Sequence, residues 1–134
     1  AASRSVEFDK EPIIRMSNTF IEPGDYDVTE LLSDIKKGVY IKNFMEWNID
    51  DRRENQRYVG FEAYLIKNGE LDINVKSPVL ELTSKKFWSS VDARSKNLDF
   101  KAANCGKGEP MQGAPVWTGA PDVRLRNIRI GNRS

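Results

Sequence analysis

Arg57-Tyr58-Val59-Gly60-Phe61-Glu62-Ala63-Tyr64-Leu65-Ile66-Lys67, then Asn68-Gly69, then Glu70-Leu71-Asp72-Ile73-Asn74-Val75 reads as two strands joined by a two-residue turn. An Asn-Gly pair favours a type I′ turn, because both central residues need positive φ and the turn's twist then suits antiparallel strands. Leu71, Ile73 and Val75 alternate with polar residues, which predicts one buried face on the returning strand. Upstream, residues 39–44 form another β-rich run that can continue to residue 49. The charged stretch at residues 50–56 then becomes the tip of a long hairpin leading into residues 57–67. Antiparallel pairing therefore dominates the centre of the chain.

The flanks add helices and shorter strands. Residues 13–21 read as a strand, closed by the turn signal Pro23-Gly24. Asp27 suits an N-cap, with Glu30 completing a capping-box pattern, for a helix over residues 28–37. Val28, Leu31, Leu32 and Ile35 share one face of that helix, and Gly38 fits its C-cap. Pro78 breaks the strand pattern before the apolar run Val79, Leu80 and Leu82. Residues 84–91 form a short helix carrying Phe87, Trp88 and Val91, and Asn97 lies in the turn beyond it. Residues 98–100 lead into a glycine-rich loop around Cys105, and Val116-Trp117 and residues 123–130 supply closing strands. The expected architecture is α+β: a mostly antiparallel, barrel-like meander with one or two covering helices, in one domain spanning residues 1–134. Residues 1–11 are expected to be an incoming linker.

Composition narrows the chemistry. The 134 residues are 39% hydrophobic and 31% charged with a net charge of +1, so no global field recruits nucleic acid or an anionic membrane. No apolar run approaches the roughly 20 residues needed to span a bilayer, and the polar N-terminal stretch lacks a signal-peptide core. One cysteine excludes an internal disulfide and fits a reducing, cytoplasmic setting. The chain has no histidine, which removes Ser-His-Asp and Cys-His catalysis and all histidine metal ligands.

Several candidate sites remain. Cys105, in Asn104-Cys105-Gly106-Lys107-Gly108, is either an incidental thiol, a soft metal ligand or a nucleophile lacking its partners. Gly106-Lys107-Gly108 lacks the Walker spacing of a phosphate loop. Arg124, Arg126, Arg129 and Arg133 alternate along a strand as a solvated face, without the interleaved aromatics of a nucleic-acid platform. Arg15 and Asn18 are polar in an otherwise apolar strand, so they are either buried and hydrogen-bonded or face a cleft.

Taken in order, Arg15-Met16-Ser17-Asn18-Thr19, Pro23-Gly24, Gly38-Val39-Tyr40, Glu62-Ala63-Tyr64-Leu65-Ile66, Asn68-Gly69, Val75-Lys76, Cys105-Gly106-Lys107 and Gly119-Ala120-Pro121 resemble the C-terminal domain of the TldD/PmbA family. The family was once described as modulators of DNA gyrase. The resemblance implies a zinc metallopeptidase in which a His-Glu-x-x-x-His helix of a preceding domain supplies two histidines and a catalytic glutamate. It implies that Cys105, in the Cys-Gly-Lys motif, is the third ligand to that one shared zinc ion, with Gly106, Lys107 and Gly108 positioning the loop. The same resemblance favours the TldD branch, implies a TldE-like heterodimer partner, and implies extended or unfolded peptide substrates. Arg15, Asn18, Glu62 and Tyr64 are the residues expected to line the substrate cleft. The alternative is a non-catalytic TldE-like or DNA-gyrase-interacting binding module.

Overall fold

In the computed structural model, which describes residues 2–133, antiparallel pairing begins at once: β1 (Ala2–Arg4) lies against β2 (Ile13–Arg15), with Ala2 opposite Arg15. The expected linker therefore contributes a strand, with Ala1 outside the described residues. The expected strand over residues 13–21 is interrupted, because residues 16–18 leave the ladder before β3 (Thr19–Phe20).

Helix α1 (Val28–Ser33) starts where the capping pattern places it, with the Asp27 amide donating to the Glu30 carboxylate at 2.6 Å. Leu31 is buried beneath it. The helix stops a turn earlier than its apolar spacing predicts, and Gly38 is a strand residue and not a C-cap. The reason is tertiary. The amides of Asn68 and Gly69 donate to the carbonyls of Lys36 and Ile35 at 3.0 and 2.9 Å, satisfying acceptors that a longer helix would have used.

The long hairpin forms as expected. Strands β4 (Lys37–Ile49) and β5 (Asn55–Lys67) pair from Lys37↔Lys67 to Ile49↔Gln56, with register shifts between Ile41 and Glu46. At the tip, the Asp50 carboxylate accepts the amides of Glu54 and Asn55. Asn68 and Gly69 have φ of 51° and 85°, as a type I′ turn requires, and β6 (Glu70–Asn74) returns along β5. Among the described residues nothing fully covers its apolar side chains: Leu71 is 44% and Ile73 65% exposed. Alternation marks a face, and among the described residues that face has no partner.

Strand β7 (Pro78–Thr83) pairs with the other half of β5, so Pro78 opens a strand at the position where its missing amide is tolerated. Helix α2 (Ser84–Ser90) is capped by the Thr83 hydroxyl, which accepts the Lys86 amide at 3.1 Å. It runs directly into β8 (Val91–Arg94), where only a turn was expected. Strands β9 (Asp99–Lys107) and β10 (Gln112–Ala120) form a second hairpin, with β3 parallel on the far side of β10. The expected closing strand at residues 123–130 divides into β11 (Val123–Leu125) and β12 (Ile130–Asn132), and Asn127 takes φ 55° between them.

The larger sheet has the order β12-β7-β5-β4, with β6 also on β5. Val59, Ala63, Ile66 and Val79 supply its buried surface. The α+β, mostly antiparallel class is as expected, and among the described residues the sheets do not close into a barrel.

Two of the four arginines read as solvated are structural. Arg124, with its side chain 13% exposed, bridges Asp34 at 2.7 Å and Asp92 at 2.9 Å, and Arg126 binds the same two carboxylates. The cluster ties the end of α1 to β8 and β11. The hydrogen bond from Arg124, with Arg126 adding to it, holds the Asp92 carboxyl below its usual range. A depressed carboxyl stabilises the fold above its unfolded pKa and loses that contribution as the pH falls below it. Asp92→Asn is expected to cost about 1–2 kcal/mol near neutrality after allowing for solvent screening. The gap from wild type should narrow in acid, as read by urea denaturation across that range.

Candidate functional site

Directly paired residues of an antiparallel ladder share a face. On β9 and β10 this puts Cys105, opposite Ala114, together with Ala103, Val116 and Gln112. Gln112, Ala114 and Val116 are buried, so this is the inward face, and Cys105 is half-buried on it. The opposite face carries Asn104, Gly106, Gly113, Pro115 and the half-exposed Trp117. The glycine-rich loop expected around Cys105 is thus a strand, and the turn comes later, at residues 108–111. At Gly113 a Cβ would meet Asn104 Nδ2 at 2.8 Å, the end of an exposed side chain that can turn aside. A Cβ at Gly106 would meet nothing within 4 Å among the described residues, so the outward face of the strand is open there.

Residues 11–18 are fastened to this face. Gln112 Nε2 donates to the Glu11 carbonyl at 3.2 Å, and Lys107 Nζ to the Ile14 carbonyl at 2.9 Å. Arg4 Nη2 donates to the Met16 carbonyl at 2.6 Å, while Asn18 Oδ1 accepts the Trp117 amide at 2.9 Å. Arg15, only 2% exposed, directs Nη2 to the carbonyls of Cys105 and Gln112, the latter at 2.6 Å. Its Nε and Nη1, and Gln112 Oε1, are buried without a partner. The Met16 amide is the main influence holding the Cys105 thiol below its ordinary pKa, assisted by Arg15 and Arg4 and opposed by burial. This environment favours the thiolate.

Three of the sequence candidates therefore meet here, Cys105, Arg15 and Lys107, with Gly106 beside them and Gly108 in the turn, while Asn18 lies further along β10 at Trp117. Glu62 and Tyr64 lie elsewhere, on β5 in the larger sheet. Glu62 accepts from Lys42 Nζ and Tyr64 Oη, both at 3.0 Å, and from Asn43. Tyr64 faces Tyr40, whose hydroxyl donates to Asp122 at 2.8 Å. Burial first, and then Asp122, push Tyr40 up to about 12. A raised pKa stabilises the fold fully below its unfolded value and loses that contribution as the pH rises towards 12. Tyr40→Phe is expected to cost about 1 kcal/mol at neutral pH. It should also remove this part of the alkaline decline, measured by urea midpoints on either side of about pH 10.

Sequence reasoning missed Arg4, the Met16 amide and Gln112. Arg4 sits in a stretch read as linker, and a backbone amide leaves no mark in a sequence. Gln112 alternates with the small apolar Ala114 and Val116, which is a weak signal for an inward polar residue.

Among the described residues no group of three or more Cys, Asp or Glu side chains could hold a metal ion. The thiol held towards thiolate is one soft donor. It fits a single ligand to a borderline cation such as zinc and cannot complete a shell.

Residues 1–132 match the family profile described as "PmbA/TldA metallopeptidase C-terminal domain". A metalloprotease of Methanocaldococcus jannaschii is 39% identical over 114 residues, covering 85% of this chain and 25% of the relative. A metalloprotease TldD homolog of Buchnera aphidicola subsp. Acyrthosiphon pisum is 29% identical over 120 residues, covering 90% of this chain and 25% of that protein. The chain thus spans about a quarter of the length of these curated relatives. The crystal structure of TldE from Thermococcus kodakarensis superposes with a TM-score of 0.70 at 14% identity, over 94% of this chain and 26% of that one, a likeness of fold.

Proposed function

Because this chain belongs to the PmbA/TldA metallopeptidase C-terminal domain family, we propose that it serves a zinc peptidase by contributing one ligand, Cys105, and part of the surface that meets an extended peptide. The observation that carries this reading is the setting of the thiol: half-buried, beside the Met16 amide and the Arg15 guanidinium, and held towards thiolate. An incidental cysteine has no need of such surroundings, and a metal ligand must be deprotonated to bind.

Zinc, when bound, supplies Lewis acidity and an acidified water. The residues of this chain have other tasks. Cys105 offers its sulfur, Arg15 and Lys107 fix the strands around it, and the segment that carries the remaining ligands would approach the half-buried face on which Cys105 lies. The family resemblance assigns two histidines and a general-base glutamate to that segment, and this chain itself has no histidine. The edge strand β4 leaves a row of backbone groups for an extended peptide, a mode of binding that reads little sequence. Glu62 and Tyr64 on the neighbouring β5 are the polar groups of that surface. A TldE-like subunit is the proposed partner and the cytoplasm the proposed setting. Among the described residues no helix is long and apolar enough to cross a membrane.

The test is the metal content of a longer protein that carries this domain, with and without Cys105→Ala. Loss of zinc with the fold retained supports the reading, and unchanged zinc and peptidase activity overturn it. Peptidase activity from the 134-residue chain alone would overturn the division of labour.

A further inference from the structure

The Cys105 carbonyl is held by Arg15, 90 residues earlier in the chain. Arg15 is 2% exposed, and its hydrogen bonds go to backbone carbonyls and not to a carboxylate. One of those carbonyls belongs to Cys105 on β9 and the other to Gln112 on β10. Gln112 pairs with Lys107, and Cys105 pairs with Ala114, so one nitrogen joins both strands at the end of the hairpin nearest the turn. Burying an arginine is costly unless its donors are met. Moving the Cys105 backbone away would strip this guanidinium of an acceptor while two of its other nitrogens already lack one.

The rest of the segment acts in the same direction. Lys107 reaches back to the Ile14 carbonyl and Gln112 to that of Glu11, while Asn18 accepts the Trp117 amide, so the residues on both sides of Arg15 are tied to the same hairpin. A shift of Arg15 would therefore move the Cys105 backbone and pull on these ties together.

We infer that Arg15 is a positioning residue for Cys105, fixing the direction of its sulfur by clamping the carbonyls of Cys105 and Gln112. The inference rests on the proposed role of Cys105 as a metal ligand. It gives Arg15 a task different from lining a substrate cleft, since its guanidinium is closed off from solvent. Outer-shell partners of this kind typically change metal affinity by about 10–100-fold.

The experiment uses a longer protein carrying this domain, loaded with cobalt(II), whose thiolate charge-transfer band reports the metal–sulfur bond. Arg15→Met and Arg15→Lys are compared with wild type at matched circular dichroism and thermal midpoint. Lysine keeps the charge and most of the stem but lacks the planar fork. Both variants are expected to weaken cobalt binding by about 10–100-fold and to shift or diminish the band. If Arg15→Met does not fold, Arg15→Lys decides alone. A folded variant with the wild-type band and affinity overturns the inference while leaving Cys105 a ligand. A band that survives in Cys105→Ala overturns the ligand reading itself, and the role of Arg15 with it.

Discussion

In a longer protein that carries this domain, Cys105→Ser is expected to weaken zinc binding by roughly a hundredfold or more. Serine is nearly isosteric, so it probes the donor atom and not the space it fills. Its hydroxyl stays protonated where the cysteine is held towards thiolate, and oxygen is a harder donor than sulfur. The fold should barely respond. Cys105 is half-buried on a strand whose pairing with β10 uses backbone groups, and Arg15 binds its carbonyl, which serine retains. Thermal midpoints of wild type and variant should then agree while a competition titration with a chelator separates them. Cadmium, the softer ion, should lose more affinity than zinc. Zinc affinity within a few-fold of wild type would remove Cys105 from the metal's ligands.

The centre of the fold was legible because its determinants are local. Asn68-Gly69 prescribes its own turn, and the two β-rich runs flanking the charged tip at residues 50–56 mark the long antiparallel ladder. The capping pair Asp27 and Glu30 likewise marked the start of α1. What the sequence could not indicate depends on contacts between distant segments. The end of α1 is decided by amides from the turn at residues 68–69. Arg124 and Arg126 look like a solvated stripe until Asp34 and Asp92 arrive from other elements. The candidate site divides in the same way. Cys105 could be singled out as the one thiol in a chain without histidine, and Arg15 as a polar residue among apolar ones. That Arg15 faces inward to the Cys105 strand, while Glu62 and Tyr64 sit on a different sheet, follows from topology alone.

The turn that organises the larger sheet is also where one substitution should do most harm to stability. Gly69→Val is expected to destabilise the chain by about 2–4 kcal/mol. Two costs combine. Gly69 has φ of 85°, a region that β-branched residues rarely enter, and a Cβ there would lie 2.8 Å from the Ser33 carbonyl oxygen and 3.1 Å from Ser33 Cα. Those are backbone atoms at the end of α1, so neither a rotamer change nor a small side-chain shift relieves the clash. Backing away would also break the Gly69 amide's hydrogen bond to Ile35, which helps terminate the helix. The damage should reach the pairing itself. A slip of one residue along β5 would turn β6 over, and Ile66, buried opposite Leu71, would lose its register. Gly131→Ala is the control: its φ is ordinary and its nearest neighbours lie at 3.8 Å, so it should stay within about 0.5 kcal/mol of wild type. Urea denaturation of both variants decides the matter. If Gly69→Val falls as close to wild type as Gly131→Ala does, the turn does not dock on α1, and the early end of that helix needs another cause.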